Sequence, residues 1–72
     1  MKVTLQQTEK LFSGRELHFN SLGLSMLVTR LKIIHARDPS KYSLEDCKNA
    51  INAFLDRFGD SVNDDIDIIA NL

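Results

Sequence analysis

The side chains that could carry chemistry are few and scattered: Cys47, His18, His35, Ser21 and the carboxylates Asp60, Asp64, Asp65 and Asp67. Nucleophilic catalysis needs a nucleophile with a base held beside it. Cys47 lies between Leu44 and Ile51 on one helical stripe, where a free cysteine behaves as a small hydrophobe. His35 follows Ile34 near a helix end and His18 falls in a linker, so both read as surface histidines rather than general bases. A thiolate zinc site would need more cysteines, or several histidines at ligand spacing. For calcium, an EF-hand loop counted from Asp60 should place a ligand third and glycine sixth, but Val62 and Asp65 stand there. The terminal carboxylates read instead as the solvated start of a helix. With no glycine-rich phosphate loop, paired-acid motif or HExxH, the pattern predicts no catalytic residues, no metal, no cofactor and no enzyme.

The elements that position these residues are helical. A chain of 72 residues has room for one hydrophobic core, so residues 1–72 are expected to form one all-α domain, a bundle of three to four helices. The expected spans are about 4–12, 21–37, 44–58 and 61–70. The third is the best marked. Ser43 and Asp46 form a capping box, Leu44, Cys47, Ile51, Phe54, Leu55 and Phe58 make a single stripe, and Gly59 suits a left-handed C-terminal cap. Asp38-Pro39 stops the second helix near Arg37, and Asn20 or Ser21 starts it. Asp60 or Ser61 is the expected cap of the last helix, which carries Val62, Ile66 and Ile69 at helical spacing. Residues 1–19 are expected to hold a helix over Thr4 to Phe12, with a β-hairpin turning at Ser13-Gly14 as the alternative, since Leu17 and Phe19 alternate with polar residues.

The second helix is apolar on two sides. At about 100° per residue, Leu24, Leu27, Val28, Leu31 and Ile34 share one face, whereas Leu22, Met26 and Ile33 lie opposite. A helix of this kind must be covered on both sides, which marks Leu22, Met26 and Ile33 as an interface and makes a homodimer the expected assembly.

Charge divides along the chain. Residues 1–42 hold seven cationic and three anionic groups, net +4; residues 43–72 hold two and seven, net −5. Arg30, Lys32, Arg37 and Lys41 form a candidate basic patch around the end of the second helix, although cations there also complement the helix dipole. A nucleic-acid-binding reading would use the 37–43 connection as the turn of a helix-turn-helix. That connection is longer than the usual three or four residues, and the helix after it exposes Glu45, Asp46 and Asp56 to the phosphates.

Phe19-Asn20-Ser21-Leu22, followed by Leu27-Val28 and Leu31, resembles the serine-leucine start of the second helix in acyl and peptidyl carrier proteins. The resemblance covers about a dozen positions and implies phosphopantetheine attachment at Ser21. Asn20 stands where those families carry aspartate or histidine.

The longest apolar-rich stretch, Leu22 to Ala36, is interrupted by Arg30, Lys32 and His35, too charged for a bilayer span, and the N-terminus has no signal-peptide core. A lone cysteine fits a reducing cytoplasm. The expected function is therefore a small noncatalytic protein-interaction or regulatory module that self-associates through its second helix. A nucleic-acid-binding regulator and a carrier-like domain modified at Ser21 are the alternatives.

Overall fold

Three of the helices start where the sequence supplies a side-chain acceptor. In the computed structural model, which describes residues 2–14 and 16–72, Thr4 caps helix α1 (Leu5–Ser13), its Oγ1 accepting from Gln7 N at 3.1 Å while Thr4 N donates back to Gln7 Oε1 at 3.0 Å. Ser21 caps α2 (Leu22–Arg37), with Oγ accepting from Leu24 N at 3.3 Å. Ser43 caps α3 (Leu44–Phe58) with Asp46 completing the box, as the spacing predicts. Each cap satisfies amides that have no intrahelical partner, a contribution of about 1 kcal/mol.

The helix expected over Thr4 to Phe12 forms, and one expectation about a cap needs correction. The hairpin does not form: Leu5–Ser13 is helical and the described residues contain no strand. Gly59 is not left-handed either. At φ −52° and ψ −39° it runs directly into a 3₁₀ turn, Gly59–Val62, which leads to α4 (Asn63–Ala70). Asp60 and Ser61 are therefore inside the turn, and Val62 holds the cap position of α4 without a side-chain acceptor. Ser61 Oγ turns back to donate to Phe58 O at 2.8 Å, and Val62 is buried in the core. Burying that side chain outweighs a polar cap.

One core unites the helices. Val3, Leu11, Leu24, Val28, Leu31, Cys47, Ile51, Leu55, Val62 and Ile69 are buried together, and α3 packs against both α1 and α2. The stripe of α3 shares the core with Leu24, Val28 and Leu31, the three residues of the broad apolar face of α2 that are buried.

The segment between α1 and α2 is fastened unusually. Leu17 and Phe19 pack against the core while Glu16, His18 and Asn20 are exposed, which is the alternation of a strand. Its end pairs with a side chain instead of another strand. Asn20 N and Ser21 N donate to the two carboxylate oxygens of Asp65, at 2.6 and 2.8 Å, and Asp65 is only 1% exposed. A second clasp holds the N-terminus: Val3 N donates to Asn52 Oδ1 at 2.6 Å, and Asn52 Nδ2 donates to Val3 O at 3.0 Å. No buried side-chain nitrogen or oxygen among the described residues lacks a partner.

Removing the Asp65 carboxylate strands two amides at the entrance to α2. Because hydrogen bonds to charged groups contribute about 1.5–3 kcal/mol each, Asp65→Ala is expected to cost about 3 kcal/mol. That is a large share of the roughly 4–10 kcal/mol available to a chain this long. Asp65→Asn offers one oxygen but sets its NH₂ against the other donor, so it recovers only part of the loss. Urea unfolding checks this, and an Asp65→Ala midpoint equal to wild type would refute it.

Candidate functional site

Viewed down its axis, α2 separates into a core side and a bare side. Leu24, Val28 and Leu31 are buried, with Leu27, Ile34 and His35 half-buried beside them. On the opposite side Leu22 is 74% exposed, Met26 63% and Ile33 48%. At about 100° per residue these three fall within about 40° of one another, with Thr29 filling the gap between Met26 and Ile33. The chain therefore leaves uncovered the second apolar face that its sequence predicts.

The basic residues border this stripe. Arg30 and Arg37 lie about 20° apart on one flank, and Lys32 lies about 160° from Arg30 on the other. All three are exposed, and among the described residues none has a carboxylate within 4.0 Å; the ion pair present is Lys48 with Glu45, on α3. Lys41 stands apart from them in the turn after α2, with its Nζ 5.4 Å from the Tyr42 ring centre. Over its sixteen residues α2 contains no aspartate or glutamate. Beside the Lys32 flank runs a groove of about 260 Å³ lined by Leu17, Phe19, Ser25, Thr29, Lys32 and Ile33, with the exposed Glu16 at its edge.

The groups weighed for chemistry are separated and employed otherwise. Cys47 is buried on the inner side of α3, where its Sγ donates to Leu31 O at 3.9 Å. His35 is fixed structurally: with a carbonyl as acceptor its Nδ1 carries the proton donated to Tyr42 O at 2.7 Å, and its ring lies 5.9 Å from that of Phe12. His18 is exposed along the groove. The Ser21 hydroxyl accepts from Leu24 N and its own amide is held by Asp65, the work of a helix cap. Of the terminal carboxylates, Asp65 is committed to those amides while Asp60, Asp64 and Asp67 face outward. No three His, Cys, Asp or Glu side chains among the described residues converge as a metal site would require. The outer face of α3, the reader in a helix-turn-helix, presents Glu45, Asp46 and Asp56.

The expectation that all four terminal carboxylates are solvated fails at Asp65, which is buried, and nothing in the sequence singled out Asn52. Asp65 had a visible signal, since at helical pitch it falls on the same side as Val62 and Ile69, an acid on a buried face that needs donors. Asn52 had none, because an exposed and a clasping asparagine look alike in sequence.

Comparison of the chain with protein-family models, with curated proteins and with solved structures finds no match. No described helix is long and apolar enough to cross a membrane.

Burial pushes the Cys47 thiol above its ordinary value of 9.0, and the Asp46 carboxylate adds to the shift. The folded chain keeps the neutral thiol while the unfolded chain ionises at the ordinary value, so this contribution to stability is intact below pH 9.0 and declines as pH rises above it. Cys47→Ala should remove that part of the alkaline slope. In the native protein a thiol reagent at neutral pH should label Cys47 at least about a hundredfold more slowly than in urea, since reaction requires opening of the core. Equal labelling rates would contradict the burial.

Proposed function

We propose that the chain is a noncatalytic protein-interaction or regulatory module that docks through the outer face of α2. The exposure of Leu22, Met26 and Ile33 on a single stripe carries this reading. Scattered apolar residues on a surface are ordinary, but three large ones at i, i+4 and i+11 line up on one helix face, the arrangement of anchors that helix-in-groove recognition uses. The dispersal of the thiol, the His35 imidazole and the serine, each already engaged in core or backbone contacts, supports a role without catalysis.

Self-association through α2 is one form of this reading, in which the second copy covers the stripe. Because Met26 and Ile33 are exposed, Met26→Lys and Ile33→Glu should each change stability by less than about 0.5 kcal/mol.

Photo-crosslinking in the native cell tests the face itself. A photoreactive residue at Met26 should give a crosslinked adduct, and the same residue at Asn49, exposed on α3, should not. An adduct of twice the chain mass reports self-association, and any other mass reports a different protein. Adducts from neither position, or equally from both, would refute docking through α2.

A further inference from the structure

The stripe and its border together describe an occupant. Leu22, Met26 and Ile33 offer apolar contact, while Arg30 and Arg37 on one side and Lys32 on the other offer positive charge that, among the described residues, has no carboxylate within 4.0 Å. We propose that the outer face of α2 takes an acidic amphipathic helix of another protein, its aliphatic side chains against Leu22, Met26 and Ile33 and its carboxylates against Arg30 and Arg37. The proposal rests on the reading of α2 as a docking face and names what docks there.

Three observations select this occupant. A second copy brings the wrong charge. A twofold pairing of α2 helices sets two acid-free surfaces together, so Arg30, Lys32 and Arg37 of both copies would share one interface with no counter-charge from either α2. The face is also small. At about 1.5 Å per residue α2 is about 24 Å long, and three apolar side chains on one helix face fall short of the roughly 800 Å² per partner of a standard stable complex. A small patch with unpaired cations suits a reversible, charge-steered encounter better than a permanent dimer. Finally, the flanks differ. Glu16 lies by the groove on the Lys32 side, so the Arg30 and Arg37 side is the one to meet the greater share of a partner's carboxylates.

An anionic bilayer would attract the same cations, but three aliphatic side chains bury little in it. The half of the chain carrying −5 is repelled by such a surface, with Asp60, Asp64 and Asp67 exposed on it.

The probe is a fluorescein-labelled synthetic helix of about eighteen residues, with leucines at helical spacing and glutamates flanking them, compared with its isomer carrying lysine for every glutamate. Fluorescence anisotropy should show the intact chain binding the acidic peptide at least about tenfold more tightly than the basic one, with affinity falling as salt rises. Arg30→Glu/Arg37→Glu and, separately, Met26→Asp should each weaken binding about tenfold or more while circular dichroism melting shows the fold retained. Those results support the proposal. It is overturned if the acidic peptide does not bind, if both peptides bind alike, or if the variants bind as wild type. It is likewise overturned if sedimentation shows a dimer through α2 that excludes the peptide, or if phosphatidylglycerol vesicles bind the chain when the peptide does not. Failure of the peptide alongside crosslinking from Met26 removes only the acidic partner, whereas failure of both removes the docking face.

Discussion

The contact on which the arrangement depends is the Asp65 carboxylate, buried on α4 and shared between the amides of Asn20 and Ser21. It joins the last helix to the entrance of the second, across 44 and 45 residues of chain. Its importance is one of phase. The position of Ser21 decides which residue begins α2, and a shift of one residue would turn every side chain of the helix by about 100°. Met26 would then leave the outer stripe and Leu24 or Val28 would leave the core. A carboxylate that accepts both amides fixes both oxygens and leaves little room for such a slip.

The same logic explains how so short a chain, with one cysteine and so no intrachain disulfide, holds together. A chain of this size buries only about 60% of its unfolded surface, so the apolar core is thin. Its apolar residues of highest burial, Leu24, Ile51 and Ile69, come from α2, α3 and α4 and share one core with Cys47. Two polar clasps close the ends of that core, Asp65 onto the linker and Asn52 onto Val3, and both join backbone to side chain across more than forty residues. The ends of the chain are drawn in further by Lys10, whose Nζ donates to Leu72 O at 2.9 Å. Long-range polar contacts made to backbone groups specify position more sharply than apolar contacts, because an unpaired buried donor is costly.

What was legible in the sequence follows from range. Helix starts were readable because caps act over three residues: Ser43 with Asp46, and Ser21 as one of two candidate caps for α2. The all-α class and the bare face of α2 were readable because helical periodicity is a property of each segment alone. The linker was misleading because Leu17 and Phe19 alternate as a strand does, while what satisfies the chain there is a carboxylate from a distant helix. Gly59 misled for a related reason. Glycine permits the left-handed cap without requiring it, and the burial of Val62 three residues later selects a tight right-handed turn.

The cations of α2 have a competing explanation in the helix dipole, and position separates the two. His35 and Arg37 occupy the last turn, where positive charge is favourable against the exposed carbonyls. Arg30 and Lys32 lie further back, and the dipole interaction falls off within the final turn. The dipole therefore accounts for Arg37 and leaves the other two as properties of the surface. The apolar residues between these cations have no such local use, for Leu22, Met26 and Ile33 leave the core unaffected by their exposure and gain nothing from water. A face that is apolar along its centre and carries unpaired cations at its border is what the proposed acidic amphipathic helix would complement on both counts.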